Sequence, residues 1–252
     1  ESIVHGTSGT AANRIYFIGD PDCEIFENVI TPGAVRITLA DVNEFASDST
    51  NVYIVKSNGK DYITWKNVYL DGGSGAINAY NDSNSSYGFY ANSESDEIEC
   101  INCMVQSVYT GYYQIATIID SVAMNNQFYG IYKGKLVDRC VSICNYYSVR
   151  EVDLIRNSII QGVYHCLQNN NLVQNCFVYG GFYAITGAGN ADFVYDTVIS
   201  GCNYPMGSFS TSDTAQIIVS GSYVAGGNYL GINGKLHGIG FGNARNQWIS
   251  NR

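Results

Sequence analysis

Basic residues are scarce in this chain. Of 252 residues, 13 are Lys or Arg against 22 Asp or Glu, and the formal charge is −9. Nucleic acid and anionic membranes require a basic face, so neither is an expected partner. Only 3 prolines occur, and no Pro/Ser/Gly linker separates two halves. One domain over residues 1–252 is therefore expected. No apolar run approaches the ~20 residues of a membrane-spanning helix. No stretch sustains a 3.6-residue apolar period, which argues against amphipathic helices. The chain opens on Glu1 with no Met and no signal-peptide pattern, as expected of a processed product, an excised domain or part of a larger protein.

What is present is a repeat. Cys103, Ser121, Cys140, Ser158, Cys176, Thr197 and Ser222 recur at intervals of 18, 19, 18, 18, 21 and 25 residues, each in a similar phrase. Leu154-Ile155-Arg156-Asn157-Ser158-Ile159-Ile160-Gln161-Gly162 and Leu172-Val173-Gln174-Asn175-Cys176-Phe177-Val178-Tyr179-Gly180 are two copies. A degenerate period of this length is the mark of a solenoid whose turns stack on one another. Just before each small residue stands a bend position: Asn28, Asn67, Asn102, Asp120, Arg139, Asn157, Asn175, Asp196 and Gly221. Asn, Asp and Gly tolerate left-handed backbone angles and suit corners. Short β-branched runs flank the bend, and a second phrase follows, as in Tyr129-Gly130-Ile131, Tyr147-Ser148-Val149 and Tyr164-His165-Cys166-Leu167. Each turn thus carries at least two strands. The expected fold is all-β, a parallel β-helix with about 18–25 residues per turn.

These rung phrases resemble those of right-handed β-helices of the pectate-lyase-like superfamily, bacteriophage tailspikes and related structural β-helices among them. The segment Ser8-Gly9-Thr10-Ala11-Ala12-Asn13-Arg14-Ile15-Tyr16-Phe17-Ile18-Gly19-Asp20 resembles the place where such domains begin to coil. The resemblance spans most of residues 8–232, with about 1–22 and 233–252 as caps or truncated ends. It implies a fold and leaves the chemistry open. The calcium-binding aspartate clusters of pectate lyases are not recognisable here. Of the polygalacturonase phrases, Asp-Asp and Arg-Ile-Lys are missing, and Leu236-His237-Gly238-Ile239-Gly240 matches the histidine phrase only loosely.

Eight cysteines raise a disulfide or zinc reading, but Cys103, Cys140 and Cys176 alternate with Ser121, Ser158 and Thr197 at one place in the turn. They read as small stacked residues, and the lone Cys100-x-x-Cys103 lacks the second pair a metal site would want. No metal or other cofactor is expected, with calcium at the acidic run Glu94, Asp96, Glu97 and Glu99 as the alternative. Reduced cysteines point to assembly in a reducing cytoplasm.

Charges of opposite sign recur one turn apart. Lys133 and Glu151, Lys135 and Asp153, and Asp138 and Arg156 are 18 residues apart, and Asp120 and Arg139 are 19 apart. They are expected to pair across adjacent rungs. The catalytic alternative makes Lys133 or Arg156 a base or oxyanion stabiliser and Asp138 or Asp153 an acid or calcium ligand, as a glycosidase carboxylate pair would allow. Tyr147, His165 and Tyr183 share one place in successive turns, next to Tyr146, Tyr164 and Phe182. Strand alternation would turn one of each doublet inward and the other out, giving either an aromatic core stack or a strip of rings on which sugar could stack. Residues 73–97, with Asn81-Asp82-Ser83-Asn84-Ser85-Ser86, are expected to protrude as a loop, and 201–215 as a smaller excursion.

Three functions remain open at this point. The first is a non-enzymatic viral structural or host-recognition β-helix, trimeric or larger, on a virion or extracellular surface and binding glycan. The second is a polysaccharide lyase or glycoside hydrolase acting along an outer groove. The third is a bacterial adhesin or scaffold fragment.

Overall fold

The recurring Asn/Asp/Gly position sits on a corner that only a left-handed residue can turn. Asn67, Asn102, Asp120, Arg139, Asn157, Asn175, Asp196 and Gly221 all have φ between 49° and 63°. The computed structural model describes residues 3–19, 35–38, 51–73, 85–93, 96–187, 192–208 and 217–225, and the strands at 229–232, 236–237, 240–241 and 247–250. Asn28 lies outside them.

Between corners the chain runs as three faces per turn, one more strand than the sequence phrases require. Tyr129–Asp138 supplies the first two faces as one continuous strand bent at Lys133, and Tyr147–Arg156 does the same one turn on, bent at Glu151. Val141–Cys144 and Ile159–Gly162 belong to the third face. All three faces pair in parallel with the next turn, with Asp138 opposite Arg156 and Val141 opposite Ile159. Among the described residues the third face is a sheet of ten strands, one per turn. The fold is a parallel β-helix.

Inward columns fill the bore. Cys100, Ile118, Val137, Ile155, Val173 and Val194 stack down the second face, and Leu70, Val105, Ala123, Ile160, Val178 and Ile199 down the third, all essentially buried. Each large aliphatic side chain so placed contributes roughly 1.5–3 kcal/mol. Corner residues are locked by the small residue that follows. Ser121 Oγ donates to Ile119 O at 2.7 Å, Ser158 Oγ to Arg156 O at 2.7 Å, and Thr197 Oγ1 to Tyr195 O at 2.8 Å. The same oxygens accept the amides of Cys103, Cys140 and Cys176 from the preceding turn at 3.0–3.3 Å. The cysteines fit that role: burial pushes the Cys140 thiol up to about 12 and Cys176 up to about 11, so they remain uncharged.

On the first face strict alternation fails. Gly130 and Ile131 both point inward, so Tyr129 and Tyr132 both point outward with rings stacked at 4.4 Å. A Cβ on Gly130 would lie 2.4 Å from Ser142 Oγ and 2.6 Å from Ser148 O, which only glycine avoids. The next turns place Ser148, Cys166 and Ala184 there, all fully buried.

Two stretches singled out in the sequence contain rung strands. The 35 residues from Asn67 to Asn102 form one enlarged turn, in which Ser86–Tyr90 is a rung strand of the first face and not part of a protruding loop. Residues 74–84 and 94–95 of that stretch lie outside the described residues, as do 209–215 of the second excursion. The ends continue the solenoid as well. Ile3–Val4 and Ile15–Ile18 pair with Val52–Lys56 and Ile63–Lys66, and Leu236–His237 and Gly240–Phe241 extend the second and third faces. Inside the first turn His5 is buried against Phe17 and Trp65, accepting the Trp65 indole N–H at 3.2 Å.

The corner lock is testable by urea unfolding. Ser158→Ala is expected to cost about 1–3 kcal/mol, because the buried Cys140 amide loses its acceptor. Gly130→Val should cost at least as much through overpacking. An unchanged Ser158→Ala midpoint would refute the lock.

Candidate functional site

The inward pair at residues 130–131, repeated in the next turns, makes one side of the solenoid aromatic. In register down the first face stand Tyr129, Tyr147, His165, Tyr183 and Tyr204. Tyr53 and Tyr87 hold the same place earlier, interrupted by the buried Thr110. Their rings stack at 5.3 Å for Tyr129 and Tyr147, 4.7 Å for Tyr147 and His165, and 4.9 Å for His165 and Tyr183. The residue before each strand adds a second ladder, Tyr109, Phe128, Tyr146, Tyr164 and Phe182, with centroids 4.8–5.8 Å apart. Neither member of a doublet enters the bore, contrary to the alternation expected, because the small residue after the doublet takes the inward position. Rings stacked along the axis turn their faces to each other. Stacking of a sugar on those faces, the expected contact, is therefore blocked along the ladders; a ligand meets ring edges and phenol hydroxyls.

A cation sits among them. The Arg150 guanidinium lies 5.3–5.8 Å from the ring centroids of Tyr129, Tyr132 and Tyr147, and Nη1 donates to Tyr129 Oη at 2.9 Å. Arg150 Nε is 2.9 Å from Glu151 Oε1. Lys56 covers Tyr53 at 4.4 Å and Lys133 covers Tyr132 at 5.4 Å. Burial raises the Tyr147 phenol to about 12, so its hydroxyl remains neutral, and burial pushes Tyr129 and Tyr183 in the same direction. His165 is buried, its Nδ1 3.1 Å from Thr186 Oγ1. Burial first, and the Arg150 charge second, lower its pKa to about 4, so the imidazole is neutral at pH 7. Sequence reasoning singled out the column of Tyr147, His165 and Tyr183 but not Arg150, Tyr129 and Tyr132 beside it; the small residue recurring after each doublet was the available signal.

The charged candidates fall elsewhere. Lys133 and Glu151 occupy the corner bordering the wall, with φ of 60° and 57° and 3.9 Å between their charged atoms. Asp138 lies at the far end of the second face, its side chain 3% exposed, held by Arg139 at 2.9 Å, Arg156 at 3.0 Å and Asn157 at 2.8 Å. Burial alone would raise its pKa, but the bonds from Arg156 and Asn157 and the two cationic charges hold it below the usual carboxylate range. A general acid needs the opposite shift. Arg139 also grips Asp120 through two nitrogens at 2.6 and 2.9 Å, as the spacing implied. Lys135 and Asp153 do not pair: Lys135 reaches Glu97, while Asp153 accepts from Asn171 at 2.7 Å. In the acidic run Glu99 binds Arg14 at 3.3 Å and Asp96 accepts from Ser57 at 3.3 Å, so these carboxylates face separate partners. Glu94 lies outside the described residues.

No family model matches the chain, and no curated protein matches it. Among solved structures it is similar to the A-module of the Azotobacter vinelandii mannuronan C-5 epimerase AlgE4, at 13% identity and a TM-score of 0.59, covering 86% of this chain and 79% of that one. The periplasmic alginate epimerase AlgG superposes at 11% identity and a TM-score of 0.42, covering 82% of this chain and 83% of that one. Likeness at this identity establishes the fold.

The neutral imidazole sets a pH dependence. The unfolded chain takes up a proton near pH 6.5 and the folded chain near pH 4, so His165 removes stability as pH falls between those values. His5, also lowered to about 4 by burial, acts in the same sense. Urea unfolding at pH 7 and 4.5 should show wild type losing stability on acidification and His165→Gln losing measurably less. Equal losses would place His165 in water.

Proposed function

We propose that the protein binds an extended polysaccharide along the aromatic wall. The observation that carries this reading is the outward column Tyr129, Tyr147, Tyr183 and Tyr204, with the buried His165 stacked between Tyr147 and Tyr183, which sets phenol edges in register along the solenoid. Adjacent turns lie about 4.8 Å apart. A polymer of sugars laid along the axis then finds a phenol edge at four of these five turns. Neutral phenols suit it because each hydroxyl donates one hydrogen bond and accepts others. Arg150, Lys56 and Lys133 add cations to this wall, favouring a polymer that carries carboxylates. The structural neighbour named for mannuronan supports the choice of a polysaccharide without assigning the same one. On this reading the protein works at a surface, virion or extracellular, as the sequence resemblance implies.

A second reading, chemistry on the bound polymer, is favoured by one observation. The solved structure it resembles at a TM-score of 0.59 is named a mannuronan C-5 epimerase; His165, buried and with its pKa held at about 4, is too weak a base to carry that reading. Asp138 and Arg156, engaged with each other, are not part of either reading.

Affinity electrophoresis in gels cast with neutral or uronate-containing polysaccharides tests binding. Wild type should be retarded by a uronate polymer, and Arg150→Ala should weaken retention about tenfold or more, equivalent to roughly 1.4 kcal/mol. Assays of the same mixtures for new reducing ends, unsaturated uronates and altered uronate stereochemistry separate binding from catalysis. Retardation by no polymer would end the reading.

A further inference from the structure

The third face has an outer side with a different character from the wall. Val122, Val141, Ile159, Phe177, Val198 and Tyr223 stand in register there, one per turn. The parallel column two residues on carries Met124, Ile143, Gln161, Tyr179 and Ser200. From Val122 to Tyr223 and from Met124 to Ser200 no charged residue interrupts either column, in a chain with a formal charge of −9; the charges in register with them, Arg36 and Asp71, stand in earlier turns and pair with each other. Ile159 is 43% exposed, Phe177 42%, Val198 37% and Tyr223 44%. At the N-terminal end the same column is closed: Tyr69 and Met104, although outward, are buried with Val122 and Met124 against them. An apolar column closed at one end and open over the next turns is an unpartnered surface.

We infer that this face joins copies of the chain side by side into a closed homo-oligomer. Over four successive turns Ile159, Phe177, Val198 and Tyr223 are each more than a third exposed, a continuous apolar strip of the kind that forms the core of a standard interface burying ~800 Å² per partner. Its core is free of charge, as interface cores are. A charged polymer or an anionic surface finds no counter-charge on it, and the four most open side chains, Ile159, Phe177, Val198 and Tyr223, hold one hydroxyl between them to offer a glycan. A second copy fits better than either. Rotation about an axis parallel to the solenoid keeps every turn at its own height, so each apolar rung meets the equivalent rung of the next copy without a register to select. The sequence expectation of a trimer is one such arrangement, with three third faces turned to the axis. It leaves the aromatic wall, on another face of the same turns, open to solvent.

Sedimentation equilibrium of the whole chain over a hundredfold range of concentration tests this. Wild type is expected at two or three times the 27.5 kDa protomer mass. Phe177→Asp, at a position already in water in the protomer, is expected to sediment as a monomer with unchanged circular dichroism and unchanged retention by the polysaccharide. Asp153→Asn, on the second face, should leave the mass alone. Wild type that is monomeric throughout overturns the inference. So does an oligomer indifferent to Phe177→Asp, or a Phe177→Asp variant that loses polysaccharide and not mass, which would give this face to the glycan.

Discussion

The left-handed corner between the second and third faces governs everything else in this molecule. At that corner the chain turns on a residue with φ near 50°, and the small side chain that follows bonds to the carbonyl two residues back. Where that side chain is Ser or Thr, its oxygen also takes the amide of the turn before. The corner therefore fixes both the bend within a turn and the height between turns. Left-handed geometry costs roughly 1–2 kcal/mol for a residue such as Arg139, which is why Asn, Asp and Gly hold most of these positions. Asn side chains add their own rung-to-rung bonds, Asn102 to Asn67 and Asn175 to Asn157, each at 2.8 Å.

Once the corner sets the height, each position in the turn becomes a column, and the physics of a column depends on its residue type. Aliphatic columns pointing inward make the core. Rings in register stack, satisfying one another's faces and leaving only edges to solvent. Charges in register pair, and in doing so Asp138, Arg156, Arg139 and Asp120 become part of the scaffold. An apolar column on the outside has none of these resolutions within the chain.

The sequence is legible wherever the period alone decides the outcome. Asp120 with Arg139, Asp138 with Arg156 and Lys133 with Glu151 are neighbours because one turn separates them. Lys135 escaped the same rule because the intervening turn presents only Ala116 at the matching position, and the long side chain passes over it to Glu97. The aromatic doublets were legible as a column but not in orientation. Two-residue alternation cannot anticipate Gly130 and Ile131 both turning inward, a break that recurs at Ser148-Val149, Cys166-Leu167 and Ala184-Ile185. Arg150 was hidden for the same reason, since it shares the outside with Tyr147 only because Ser148 and Val149 both turn inward.

The break in alternation also bears on the sign of the field that a ligand would meet. The chain is acidic as a whole, yet among the described residues Asp120, Asp138 and Glu99, at the corner and on the second face, are matched by Arg139, Arg156 and Arg14. The described strands of the first face carry Lys56 and Arg150 and no acid, with Lys133 and Glu151 at their border. At physiological ionic strength charges are screened within about 8 Å. A polymer lying on the wall would thus respond to these few groups and not to the formal charge of −9. The net acidity that removes nucleic acid as an expected partner consequently leaves a carboxylated polysaccharide compatible with this face, because no acid stands on its described strands.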